Sequence, residues 1–187
     1  MVVLVIGLIL FLGIHSVRIF APALRTGFIE ARGDGTWKGV YSGVSILGFG
    51  LLIYGYGLAR EEATILYSPI QGSVGLSLIL VPIALVLVVA SQVPTGYIKQ
   101  AVQHPMLLGV ILWAISHLAN NGDWASVLMF GSLLVWSVLN IISCYRRGGR
   151  PAEASLAGDI IAVIVGLILT YAFVRFLHEY LFGVGIV

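Results

Sequence analysis

Four imidazoles are the side chains best able to do chemistry in this sequence: His15, His104, His117 and His178. Neutral imidazole is the commonest metal ligand and the usual axial ligand of haem. His104 and His117 bracket one apolar segment, HPMLLGVILWAISHLANNG, at residues 104–122. On a helix their separation leaves about 140° between them, so they do not share a face and one helix cannot offer both to one metal. His117 instead shares a stripe with Trp113, Asn120 and Asn121, at i−4, i+3 and i+4. An imidazole, an aromatic plane and amides able to orient the imidazole would suit one wall of a cofactor pocket.

Other chemistries find less in the sequence. Cys144 is the single cysteine, which excludes an intrachain disulfide and a cysteine-based metal cluster. No CxxCH occurs, so a haem here would be held non-covalently, as haem b. No HExxH accompanies the histidines, which disfavours zinc. A proton relay would be short of partners, because Asp159 is the only acid deep in an apolar run. There is no GxSxG, and Gly33-Asp34-Gly35 is a lone turn, far short of a phosphate loop.

The histidines must be held by elements that suit their solvent. The chain has 187 residues, 59% hydrophobic and 10% charged, with a mean hydropathy of +1.05. A soluble domain carries roughly 25% charged residues. Too little polar surface exists to coat a water-soluble globule, so the expected class is an all-α, polytopic transmembrane bundle. Apolar runs predict about six spans, near 2–20, 38–59, 71–90, 104–120, 124–143 and 157–181, the fourth being the shortest. Turn formers at Gly33-Asp34-Gly35 and Asn120-Asn121-Gly122-Asp123, and the charged run Arg146–Pro151, separate them. No lysine or arginine precedes the first apolar run, so it reads as a retained helix and not a signal peptide. No internal repeat or boundary divides the chain, and 1–187 is expected to be one membrane domain.

Topology follows from the charges. The loops after spans one, three and five hold, or border on, Arg18, Arg25, Arg32, Lys38, Lys99, Arg146, Arg147 and Arg150; Arg60 and Arg175 fall to the other side. The positive-inside rule makes the eight-residue side cytoplasmic and puts both termini outside the cell's inner membrane. A net charge of +2 is too small to suggest nucleic acid. Membrane lipid is the surrounding partner. Depth then pairs His15 with His104 toward the cytoplasm, and His117 with His178 toward the outside. His178 beside Glu179 reads as interfacial, and His104 before Pro105 as a helix cap as much as a ligand. His15 and His117 are harder to explain without a ligand, since ionisable groups in membrane spans usually face the bundle interior. Gly39 and Gly43, with Gly48 and Gly55 following and Gly7 and Gly13 in the first span, predict close helix packing. Trp37, Tyr41, Tyr97 and Trp124 sit where an aromatic belt would.

The segments GLILFLGIHSVRIFAP (7–22), WKGVYSGVSILGF (37–49), YGYGLAR (54–60), HPMLLGVILWAISHLANNGDWASVLMFGSLLVWS (104–137) and LHEYLFGVGIV (177–187) carry a resemblance over most of the chain. In order and content they resemble the NnrU family of bacterial inner-membrane proteins. That resemblance implies an association with denitrification and nitric oxide metabolism. The family is also similar to the 15-cis-ζ-carotene isomerase, a membrane haem-b enzyme with histidine ligands. Mapped by motif, the resemblance implies haem ligation by His15 and His117, with His104 the other shared histidine. Depth places His15 and His117 on opposite halves of the bundle, so three arrangements stand: a His15/His117 pair if span four starts before the membrane or tilts, a His15/His104 pair, or His117 as a redox-exchangeable ligand. Trp113 and Asn120 complete the expected cofactor wall.

Three functions follow as expectations. The first is a haem-b membrane protein serving denitrification or nitric oxide metabolism, with a denitrification enzyme as partner. The second is a haem-dependent cis–trans isomerase of a lipid-soluble polyene. The third is a non-catalytic membrane scaffold or assembly factor whose histidines only pack.

Overall fold

Two local breaks cut the N-terminal third into three helices. Ala21 leaves helical geometry (φ −139°, ψ 53°) and Pro22 follows at the first helical position, where its missing N–H goes unused. Gly33 takes φ 84°, a conformation that favours glycine, and turns the chain again. The computed structural model describes residues 1–149 and 153–182. It is all-α and runs α1 (Val2–Phe20), α2 (Pro22–Arg32), α3 (Asp34–Glu61), α4 (Ser73–Gln92), α5 (Tyr97–Val102), α6 (Pro105–Asn120), α7 (Trp124–Arg147) and α8 (Leu156–Ala172). A π-helical turn, Phe173–Leu177, joins α8 to α9 (His178–Phe182). Arg150 and Pro151, expected in a cytoplasmic loop, and residues 183–187, which close the C-terminal motif, lie outside the described residues.

Five segments are long and apolar enough to cross a membrane: α1, α3, α4, α7 and Leu156–Leu181. The sixth, α6, has 16 residues, or about 24 Å at the helical rise. That falls short of a hydrocarbon core of about 30 Å. Its ends explain its length. Pro105 opens it and cannot donate, while beyond Asn120 the chain pairs with the α3–α4 loop: Leu66 N–H donates to Gly122 O (2.8 Å) and Trp124 N–H to Thr64 O (2.9 Å). Helix α2 was not anticipated. Its mixed charged and apolar residues read as a loop between spans, and its side chains are not buried.

Contacts gather the chain into two units, Met1–Ser68 with Asn121–Asn140, and Pro69–Asn120 with Ile141–Val187. In the first, α1 and α3 meet backbone to backbone. A Cβ on Gly7 would lie 2.5 Å from Leu52 N, and one on Gly48 2.7 Å from Phe11 N; one on Gly55 would strike Leu4 N. Gly39, Gly43 and Gly13 face open space, so the close-packing seam is Gly7/Gly48/Gly55 and not the Gly39/Gly43 pair. Spacing alone could not say which side of α3 meets α1. Leu4, Leu8, Leu52, Tyr56, Met129, Phe130 and Leu133 are buried in this unit.

In the second unit α4 packs against α6 and α8. Val89, Ala90 and Ala162 form a buried cluster, with Val93, Ile98 and Leu169 against it. Asp159 gives both carboxylate oxygens to the start of α5, accepting Tyr97 N–H at 2.9 Å and Ile98 N–H at 3.0 Å. Asp159, half-buried in the first turn of α8, thus satisfies helix-end donors that have no intrahelical partner; the buried acid is Asp123 of the first unit.

Candidate cofactor site around His15

Helix α1 sets His15 one turn beyond Phe11. The His15 Nδ1 lies 2.6 Å from the Phe11 carbonyl oxygen. A carbonyl only accepts, so Nδ1 carries the proton and Nε2 keeps its lone pair, the arrangement a metal-ligating histidine uses. Three rings enclose the imidazole: Phe11 at 4.3 Å between centroids, Tyr41 of α3 at 5.1 Å, and Trp136 of α7 edge-on at 5.8 Å. Phe49 backs Phe11 at 5.8 Å. Trp136 Nε1 and Ser137 Oγ are buried without a hydrogen-bond partner among the described residues. Buried polar atoms are nearly always satisfied, so an orphaned indole N–H on a ring that stands against an imidazole calls for a reason.

His117 repeats the local motif. Its Nδ1–H donates to Trp113 O at 2.9 Å, and the two rings lie 4.7 Å apart. His178 comes within electrostatic reach of it. Asn120 is occupied differently from expectation. Its Oδ1 accepts from Ser73 Oγ (2.9 Å), and its Nδ2 donates to Ser77 Oγ (2.5 Å) and Ser116 O (2.7 Å). Ser116 Oγ adds a bond to Ser77 Oγ at 2.7 Å. The amide therefore ties α4 to α6 and holds in place the helix that carries His117. Asn121 contributes its carbonyl, which accepts the Tyr67 hydroxyl at 3.0 Å. Burial, then the nearby Asp123 carboxylate, push the Tyr67 phenol above its ordinary value and keep it a donor.

His104 follows a strained turn. Gln103 sits at φ 59°, ψ −43°, and His104 N–H closes back onto Val102 O at 2.6 Å. Its carbonyl accepts Leu108 N–H at 3.3 Å, so it does serve the start of α6. Its ring stands edge-on to Tyr145 at 5.2 Å. His15 and His117 belong to different units, and His104 shares the second with His117.

One further polar chain lies in the first unit. The buried Asp123 accepts Ser126 N–H on Oδ1 (2.9 Å) and Ser126 Oγ–H on Oδ2 (2.5 Å). Since the serine proton goes to the carboxylate, the Tyr56 hydroxyl donates to Ser126 Oγ, 2.9 Å away.

Sequence reasoning missed Phe11, Tyr41, Trp136 and Tyr145. Phe11 was within reach, standing at the same i−4 position from His15 as Trp113 from His117. Tyr41 reads as a belt residue, and nothing local links Trp136 to α1.

Long apolar helices carrying solitary histidines against aromatic rings define a class: a multi-pass α-helical membrane protein with candidate cofactor imidazoles. The family model described as NnrU protein matches residues 3–186, and the chain belongs to the NnrU family. No curated protein and no solved structure matches it.

Proposed function

We propose that this protein binds haem b through its membrane histidines, His15 foremost, and serves denitrification or nitric oxide metabolism in the bacterial inner membrane. The observation that carries the reading is the surround of His15: a fixed tautomer, three aromatic rings and the orphaned Nε1 of one of them, Trp136. The donor chemistry fits. Among the described residues no three His, Cys, Asp or Glu side chains gather as a metal cluster. A haem brings four nitrogens of its own and asks only one or two of the protein.

In this reading His15 would hold the haem iron through Nε2, and His117 and His104 are the other histidines that could act as ligands. Haem so held supplies reversible one-electron chemistry and, when ferrous, affinity for a diatomic gas. The Phe11 carbonyl orients the imidazole and raises its basicity. Phe11, Tyr41 and Trp136 exclude water and present apolar ring surface; Trp136 Nε1–H is a donor for a polar group. The eight-to-two division of Lys and Arg supports both termini lying outside.

The test is the absorption spectrum of the detergent-purified chain from haem-replete cells, oxidised and dithionite-reduced. A Soret band with sharp reduced α and β bands is expected, and His15→Ala should abolish it. The His117→Ala and His104→Ala spectra show whether either imidazole is also a ligand. A flat visible spectrum from the wild-type chain would sink the proposal, and so would an unchanged spectrum in His15→Ala.

A further inference from the structure

Helix α2 is too short and too charged to cross a membrane, and the His15 surround does not use it. Its 11 residues sort into stripes. Leu24, Phe28 and Ala31 fall on one, Arg25, Ile29 and Arg32 on the next. Trp37, at the start of α3, receives both: Phe28 meets its ring edge-on at 5.7 Å, and the Arg25 guanidinium lies 6.0 Å from its centroid. Leu24 is 70% exposed, and Phe20, across the break from α2, is 69% exposed.

The charges beside these apolar side chains are unbalanced. Residues 18–38 hold Arg18, Arg25, Arg32 and Lys38 against Glu30 and Asp34. Lys38 and Asp34 satisfy each other at 2.7 Å. Glu30 lies about 140° around the helix from Arg25, which explains why it pairs with neither arginine of the stripe. Among the described residues no carboxylate reaches ion-pair distance of Arg18, Arg25 or Arg32. Unpaired guanidiniums next to uncovered Leu and Phe, at the foot of a membrane-length helix, suit the headgroup layer of a bilayer. A guanidinium also matches a phosphate in two-pronged geometry, which an ammonium does not.

We infer that α2 is a binding site for an anionic phospholipid. Arg25 and Arg32, with Arg18 near the end of α1, hold the headgroup phosphate, while Phe20 and Leu24 enter the acyl layer. This site stands whether or not the chain binds haem.

The test is native mass spectrometry of the full detergent-purified chain, titrated with phosphatidylglycerol or with phosphatidylcholine of the same acyl chains. The wild type should retain phosphatidylglycerol on the order of tenfold more tightly. Arg25→Gln/Arg32→Gln should lose most of that preference, and Arg25→Lys/Arg32→Lys part of it. Arg146→Gln/Arg147→Gln, at the end of α7, should keep it. Equal retention of the two lipids by the wild type would overturn the inference. An unreduced preference in the Arg25/Arg32 glutamine pair would overturn it too, as would an equal loss in the Arg146/Arg147 pair. Should the glutamine pair fail to fold, the wild type still decides: its preference should collapse between about 0.05 and 0.5 M salt, and a preference indifferent to salt refutes a charge-based site.

Discussion

His15 and His117 begin from the same local arrangement and end in different surroundings. Each donates Nδ1–H to the carbonyl four residues back, and each lies against the aromatic ring at that position, Phe11 or Trp113. Beyond that the two regions diverge. Around His15 the neighbouring helices supply rings, Tyr41 and Trp136, and leave Trp136 Nε1 unspent, with Ser137 Oγ, the next residue of α7, also without a partner among the described residues. Beside His117 the polar groups are consumed in holding helices, with Ser73, Ser77, Ser116 and Asn120 locked into one network between α4 and α6. Local sequence sets the tautomer in both places. Tertiary packing decides whether the surrounding polar atoms serve stability or stay available to a ligand. If that contrast is right, substitutions in the two regions should fail in different ways.

The largest effect should come from the seam that closes the first unit. Gly55→Val would drive a branched side chain into the Leu4 backbone, and backbone cannot step aside as a flexible side chain does. Overpacking of this kind costs about 3 kcal/mol. Gly43→Val, on the same helix with open space before it, should stay within about 0.5 kcal/mol of wild type. Equilibrium unfolding in mixed micelles measures both. Equal sensitivity at the two positions would show that backbone contact with α1 is not what closes this unit.

The next effect sharpens the contrast between spent and unspent polar atoms. Asn120→Leu removes two interhelical bonds and strands the Ser73 hydroxyl, while Ser77 keeps its bonds to Ser73 O and Ser116 Oγ. Interhelical hydrogen bonds in membranes average about 0.6 kcal/mol, and unsatisfied buried partners add to the loss, so about 2 kcal/mol is expected. Ser137→Ala removes a buried hydroxyl with no partner among the described residues and should shift stability by no more than about 0.5 kcal/mol. A comparable loss in Ser137→Ala would mean that the first region spends its polar atoms on stability as the second does.

These contrasts also mark what the sequence could and could not reveal. Membrane-length helices were legible because hydrophobic runs of about 20 residues have few other uses. The stop at Asn120-Asn121-Gly122-Asp123 was legible from turn chemistry. Helix α2 was hidden by its polar composition, and the sense of Pro22 as a first helical residue emerges only with the helix after it. Gly39 and Gly43 have the spacing of a packing motif, yet α1 meets the face bearing Gly48 and Gly55; a spacing does not name its partner. His15 stood out because a lone imidazole in an apolar run is unusual. Its surround did not, because Tyr41 and Trp136 reach it from helices distant in sequence. Asn120 was visible as a polar group in the right stripe, but its partners Ser73 and Ser77 lie on α4, beyond any local pattern.

The smallest effect is the most discriminating. Trp136→Phe keeps an aromatic ring against His15 and deletes a buried N–H that has no partner among the described residues. In the apoprotein that deletion removes a desolvated donor, worth up to about 1 kcal/mol, while the lost ring area offsets part of the gain. Thermal unfolding of the apoprotein should therefore change little or move upward. Haem retention should move the other way: if Nε1–H serves a bound group, the variant releases haem sooner when challenged with apomyoglobin as acceptor. A destabilised apoprotein with unaltered haem release would make Trp136 ordinary packing. The region around His15 would then differ from that around His117 only in which helices supply its rings, because the orphaned indole N–H would serve no bound group.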